Sequence, residues 1–287
     1  ESKKFSHGVI YADIDVEKLT ALRRKNNNFT SISDTDIEYV SFDMPKRETP
    51  LAREFSRQPF MPSEKSCADS NCEDILTMQA LGLATRMQNA HVKDLVLGVS
   101  GGLDSTLALI VSIKALDILK LDHSHLHCVS MPCFGTTNRT KSNAEKLSVA
   151  YGAQFKMVDI TQSVRQHFAD IDHNESDHDT TYENSQARLR TMVLMDISNK
   201  LGALVVGTGG LSELALGWAT YNGDHMSMYS VNGNVPKTLV RELTAYVAAS
   251  EMEKGNTKLA EALYDILGTP VSPELLPADG EGKIAQK

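Results

Sequence analysis

Cysteine is scarce in this chain, with four in 287 residues. They fall as Cys67 with Cys72 and Cys128 with Cys133, each pair separated by four residues. That spacing is wider than a zinc knuckle uses, and the number is too small for a disulfide scaffold, so the thiols read as reduced. Long apolar runs are missing too. A membrane span needs about 18–20 apolar residues, and the best stretch, 107–121, is broken by Lys114, Asp117 and Lys120. The opening Glu1-Ser2-Lys3-Lys4 shows no secretory-leader pattern, so a cytoplasmic location without membrane attachment is expected. Basic excess is absent: 29 Lys and Arg against 37 Asp and Glu give a net charge of −8. A nucleic-acid partner, which rewards clustered positive charge, is not expected. Tryptophan occurs once, as Trp218.

What is present suits a globular protein with a good-sized core: 41% hydrophobic and 23% charged residues. The length allows about two domains. Residues 8–14 read as a strand and Val16–Lys25 as a helix capped by Asp15, followed by a polar, proline-bearing connector from Asn26 to Ser66. One strand and one helix bury no core, so the first 60 residues read as an appendage or the tail of another domain. Beyond them, residues 73–89 place Leu76, Ala80, Leu83 and Met87 on one helical face. Strands are expected at 95–99, 125–131, 154–160 and 203–207. Helices are expected from Asp104 onward, at 139–151 before Gly152, at 184–201 before Gly202, and from Ser212. Alternating strands and helices predict an α/β fold whose parallel sheet is flanked by helices, with ligands beyond the carboxyl ends of the strands.

The most informative stretch lies at one such end. Gly98-Val99-Ser100-Gly101-Gly102-Leu103-Asp104-Ser105 follows an apolar strand and opens a helix. Glycines let backbone N–H groups approach an anion closely, and a helix N-terminus adds partial positive charge. Ser100, Ser105 and Thr106 add hydroxyls, and Asp104 supplies a carboxylate able to hold Mg²⁺ against a phosphate chain. No lysine follows the glycines, which excludes a Walker loop, and the Gly-x-Gly-x-x-Gly spacing is absent. The Ser-Gly-Gly-x-Asp-Ser pattern resembles the pyrophosphate loop of ATP pyrophosphatases. The acidic, His-bearing segment 171–182 reads as a solvated loop or a lid rather than a metal cluster, because nothing there fixes ligand geometry.

Three further blocks stand in order after the glycine turn: Tyr182-Glu183-Asn184-Ser185-Gln186-Ala187-Arg188-Leu189-Arg190; Gly207-Thr208-Gly209-Gly210-Leu211-Ser212-Glu213 running on to Trp218-Ala219-Thr220-Tyr221; and Val235-Pro236-Lys237-Thr238. Together with Gln58-Pro59-Phe60 and Thr269-Pro270-Val271-Ser272-Pro273, they resemble the synthetase domain of glutamine-dependent NAD synthetases over nearly the whole chain. The resemblance implies an adenine nucleotide alpha hydrolase-like, Rossmann-like fold. It implies ATP-dependent amidation of deamido-NAD, with ammonia supplied by glutamine hydrolysis in a nitrilase-like glutaminase domain. Residues 1–60 then correspond to the tail of that glutaminase domain plus a linker, and 61–287 to a C-terminally incomplete ATP-pyrophosphatase domain. A homodimeric synthetase core within a larger assembly is also implied.

Under this resemblance, residues 98–105, Thr208, Lys237 and Ser272 contact ATP, and Asp104, Glu213 and Lys237 are the catalytic groups. Asp104 and Glu213 are the Mg²⁺ ligands, while Asn184, Arg188, Glu213, Trp218, Ala219, Thr220 and Tyr221 meet deamido-NAD. One departure stands out: Gly210 occupies a position where this subgroup commonly carries an acid. Two alternatives stay open on the sequence. One is another pyrophosphate-loop enzyme, of the GMP synthetase, asparagine synthetase or tRNA-thiolating type. The other is a non-catalytic nucleotide-binding remnant.

Overall fold

Three short apolar runs become the inner strands of a parallel sheet. In the computed structural model, residues 9, 13–26, 28, 38–43, 45, 60, 65–134 and 138–269 are described, and the chain divides into two compact units, Glu1–Pro59 and Phe60–Lys287. In the first unit α1 (Val16–Lys25) starts as expected, the Asp15 carboxylate accepting from the Lys18 N–H at 2.8 Å. The strand expected at 8–14 lies almost wholly outside the described residues.

The second unit holds β1 (Leu95–Gly98), β2 (Leu126–Ser130), β3 (Gln154–Met157), β4 (Leu204–Gly207) and β5 (Tyr229–Ser230). Their order is β3-β2-β1-β4-β5, and every neighbouring pair is parallel. Leu97 pairs with Cys128 on one side and Val206 on the other, so the strand ends are level there.

Side chains of the inner strands alternate between two cores, as the two-residue period of a strand requires. Leu95, Leu97, Leu126, Cys128, Leu204 and Val206 face α2 (Lys65–Ala90), α3 (Leu103–Leu119), α4 (Asn138–Ala150), α8 (Lys237–Glu253) and α9 (Thr257–Leu267). Val96, Val129 and Val205 face α5 (Thr161–Asp170) and α6 (Thr180–Leu201). Both faces are therefore covered, which is why these strands read as continuous apolar runs. α3 is buried from Ser105 to Ile113 because it lies between the sheet and α2 and α8.

The chain runs outward from β1 through β2 to β3, then returns to the other side of β1 for β4 and β5. Strand order thus reverses between β1 and β4, and the crevice outside their carboxyl ends is where such sheets receive ligands. A short helix, α7 (Leu211–Leu216), begins at that end of β4.

Several boundaries differ from the sequence expectation. α2 begins at Lys65 rather than 73, since its first two turns carry no apolar stripe to announce them. β3 ends at Met157, not 160; Ile160 is buried in the second core, and its apolar side chain prolonged the alternation. α5 escaped notice because only Val164 and Phe168 of its ten residues are buried. Residues 180–182 belong to α6, capped by Asp179 on the Tyr182 N–H at 3.0 Å.

Far from the carboxyl ends of the strands, His123 ties α3 to the end of α4. Its Nδ1 lies 2.7 Å from the Tyr151 carbonyl and its Nε2 2.8 Å from the Asp117 carboxylate. Both partners only accept, so the imidazolium alone satisfies both contacts. Partial burial opposes that charge, but the bonds to Asp117 and Tyr151 outweigh it and raise the His123 pKa. A raised folded-state pKa gives stabilisation that is full below the unfolded value of about 6.5 and is lost as pH rises through the folded value. The H123Q variant should therefore be less stable than wild type at pH 6 by under about 1 kcal/mol, as expected for a screened pair. The gap should close by pH 8–9 in denaturant titrations; a gap that widens with pH contradicts the assignment.

Candidate functional site at the carboxyl ends of β1, β4 and β5

The turn after β1 is built from hydroxyls and one left-handed glycine. Gly101 has φ +81°, a conformation that a Cβ would strain. Gly102 caps α3 in extended conformation with no side chain bonded at the cap, so the helix start is open to an outside anion. Ser100 and Ser105 hold the turn together. The Ser100 N–H donates to Ser105 Oγ at 3.3 Å, the two hydroxyls lie 3.2 Å apart, and the Gly102 N–H donates to Ser100 Oγ at 3.2 Å. The Ser105 hydroxyl bonds the Gly102 carbonyl at 3.1 Å. A Cβ on Gly98 would sit 3.0 Å from Leu194 Cδ1, so α6 packs close on the strand end.

Asp104, one residue into α3, ion-pairs with Lys237, the first residue of α8. Glu213 joins them from α7. Its Oε2 accepts from the Gly210 N–H at 3.1 Å, the reach of an N3 glutamate back to its N-cap. Burial raises the Glu213 pKa, the Gly210 bond lowers it, the nearby Asp104 charge raises it and Lys237 lowers it, with a net upward shift. The two carboxylates and the ammonium thus share one electrostatic neighbourhood at the switch point, and Glu213 both caps α7 and feels the charges of Asp104 and Lys237. At Gly210 a Cβ would stand 3.1 Å from the Val235 carbonyl oxygen, which itself accepts from the Leu211 N–H at 3.0 Å. Any side chain there needs a small shift of the 232–236 turn.

The residues assigned to the deamido-NAD side form a turn braced against α6. Thr220 Oγ1 donates to Asn184 Oδ1 at 2.8 Å, and Arg188 Nε donates to the Tyr221 carbonyl at 3.1 Å. The Thr220 N–H donates to Asp224, and His225 Nδ1 lies 2.7 Å from the Thr220 carbonyl. Asn184 and Arg188 therefore spend polar atoms on holding the 218–225 turn. Trp218 and Tyr221 are 75% and 74% exposed, so neither fills the core. Arg190 faces elsewhere, towards Cys133 beyond β2. Ser272 lies outside the described residues.

The 171–182 segment is pinned rather than loose at its base. Phe134, Phe168 and Tyr182 stack with centroids 5.4–6.3 Å apart. Arg165 grips Glu175 with two bonds of 2.8 and 3.1 Å. Among the described residues no group of three His, Cys, Asp or Glu side chains is arranged to hold a metal ion. Burial pushes the Cys72 and Cys128 thiols up to about 11, which leaves them protonated and inert.

Two polar residues of the site were not singled out by sequence. Asn232, wholly buried, bonds the Asp104 and Thr208 carbonyls, and Gln79 bonds Asn232. In the stretch Val231-Asn232-Gly233-Asn234 an asparagine looks like any turn residue, and no local signal marks it.

A family model described as NAD synthase matches residues 75–254. The glutamine-dependent NAD(+) synthetase of Mycobacterium tuberculosis is 39% identical over 297 aligned residues, covering 98% of this chain and 43% of that protein. The chain thus spans less than half the length of these curated relatives. The NH(3)-dependent NAD(+) synthetase of Methanococcus aeolicus is 31% identical over 182 residues, covering 63% of this chain and 70% of its own length. Among solved structures, a glutamine-dependent NAD+ synthetase from Acinetobacter baumannii in complex with adenosine diphosphate superposes with TM-score 0.59 at 30% identity. That match covers 63% of this chain and 34% of the other. By the family model over residues 75–254 and these relatives, and in keeping with its parallel sheet and glycine turn, the chain belongs to the NAD synthase family.

Proposed function

We propose that this chain is the amide-forming part of a glutamine-dependent NAD synthetase. It would convert deamido-NAD to NAD with ATP, using ammonia released from glutamine by a glutaminase domain of the same parent chain. The observation that carries this reading is the meeting of Asp104, Lys237 and Glu213 beside an uncapped helix start at the strand-order switch point. The 39% identity to relatives of more than twice the matched length supports the parent-chain part.

A nicotinate carboxylate resists amines because its negative charge shields the carbonyl carbon. Attack of a carboxylate oxygen on the α-phosphorus of ATP forms a mixed anhydride with AMP and expels pyrophosphate. Ammonia then adds to the acyl carbon, loses a proton, and AMP departs. No protein nucleophile is required, so the chain's work is positioning and charge stabilisation. Backbone N–H groups of 100–105 and the hydroxyls of Ser100 and Ser105 cradle the phosphates, and Thr208 adds a donor. Lys237 exchanges Asp104 for phosphate oxygens when ATP binds, and steadies the charge of the departing pyrophosphate.

Asp104 and Glu213 fit Mg²⁺, being two carboxylates of partial exposure beside a phosphate cradle, as this ion prefers. When bound, it neutralises charge between phosphate oxygens. The 218–221 turn receives the pyridine end of deamido-NAD, with the exposed rings of Trp218 and Tyr221 offering stacking faces and Arg188 a guanidinium. In this reading the enzyme works in the cytoplasm as a homo-oligomer, without membrane or nucleic-acid partners.

Purified parent enzyme should form AMP in an assay that requires deamido-NAD together with ammonia or glutamine. AMP formation with xanthylate or aspartate instead assigns a different amidotransferase, and tight ATP–Mg²⁺ binding without pyrophosphate release assigns a non-catalytic remnant. The K237M variant should lose at least about 10²-fold in kcat. Its Tm should barely move, because a half-exposed ion pair contributes only about 0–1 kcal/mol. Deamido-NAD should change the emission of Trp218, the chain's single tryptophan; unaltered emission at saturation contradicts stacking there.

A further inference from the structure

We propose that Asn232 is a positioning residue for the reaction above, a buried crossbeam that sets the spacing between the turn after β1 and the turn after β4. This rests on the amidation reading given under Proposed function. Asn232 is 0% exposed. Its Nδ2 donates to the Asp104 carbonyl at 2.9 Å and to the Thr208 carbonyl at 3.1 Å. One side-chain amide thus joins the residue bearing the first carboxylate to the loop leading to the second.

The other end of the amide is held as well. Gln79 on α2 donates from Nε2 to Asn232 Oδ1 at 3.3 Å and to the Val231 carbonyl at 2.8 Å. The backbone after Asn232 continues the tie. Its carbonyl accepts from the Val235 N–H at 2.8 Å, the Val235 carbonyl accepts from the Leu211 N–H at 3.0 Å, and the Lys237 N–H donates to Ser212 Oγ at 3.1 Å. One segment therefore sets the relative places of Asp104, Glu213 and Lys237.

The chemistry of the site selects asparagine. Two carbonyl oxygens must be bridged by two N–H donors on one short, planar group. Aspartate offers acceptors only when ionised, serine has a single donor, leucine has none, and glutamine is one methylene too long. Because a displacement of about 1 Å at a reacting centre can cost about 10²-fold in rate, the crossbeam governs turnover more than ground-state binding.

The test uses the full-length parent enzyme as wild type, N232L and Q79M. N232L should lower kcat for AMP formation by about 30–100-fold per folded site, with KM for ATP and for deamido-NAD changed less than about 3-fold. Q79M, which keeps both donors of Asn232 but frees its oxygen, should lower kcat by about 3–10-fold in the same pattern. Hydrogen exchange read by mass spectrometry should quicken together in peptides covering 100–106 and 208–213 in N232L, while peptides from α9 stay unchanged. Should N232L fail to fold, Q79M carries the decision. Unaltered kcat per folded site in the variants that fold, or quickened exchange at only one of the two turns, overturns the crossbeam. Wild type that makes no AMP overturns the amidation reading instead, and the exchange comparison then still decides whether Asn232 joins the turns.

Discussion

A carboxylate and an ammonium 133 residues apart in sequence meet where two adjacent parallel strands end. Asp104 reaches the pair from the first turn of α3, and Lys237 from the first turn of α8. Their meeting depends on the strand order, because β4 and β5 are threaded on the opposite side of β1 from β2 and β3. That reversal leaves a crevice between the turns after β1 and β4. It also points the start of α3, with its open backbone donors, into the same space. The polar features described for the site follow from this one constraint: three turns end at the same edge of the sheet.

Electrostatics hold the arrangement together. The Asp104 charge disfavours ionisation of nearby Glu213, and Lys237 offsets it while pairing with Asp104. Glu213 meets its own desolvation by accepting from the Gly210 N–H, so α7 gains a cap from the same group that faces the crevice. Glycine at 210 suits this, since a side chain would press on the Val235 carbonyl. A phosphate chain would trade against contacts already made, which favours a polyanion over a single weakly charged ligand.

How far the sequence disclosed this depends on whether each feature is local. The run Leu95 to Val99, the glycines and the hydroxyls lie side by side in the chain, so strand, turn and helix start are legible together. Leu76, Ala80, Leu83 and Met87 announced the buried face of α2 because a single periodic stripe faces the core. α5 stayed hidden because its buried pair, Val164 and Phe168, is too short a stripe to show a period. Glu213 and Lys237 were legible only through resemblance to a family, since a lone acid in a helix and a lone lysine carry no signature of their own. Asn184 and Arg188 are expected from the resemblance to meet a ligand; what the fold shows is that they brace the 218–225 turn, a long-range contact that no local pattern reports. Asn232 was invisible for the same reason: its partners lie 128 and 24 residues away.

The central claim is that Asp104, Glu213 and Lys237 close around one phosphate chain. A crystal structure of the parent enzyme with ATP, Mg²⁺ and deamido-NAD tests it most directly. The account predicts a cation between the Asp104 and Glu213 carboxylates, phosphate oxygens on the 100–105 backbone, and Lys237 turned from Asp104 to the phosphates. An intact Asp104–Lys237 pair, with the triphosphate bound away from the ends of β1 and β4, would contradict it.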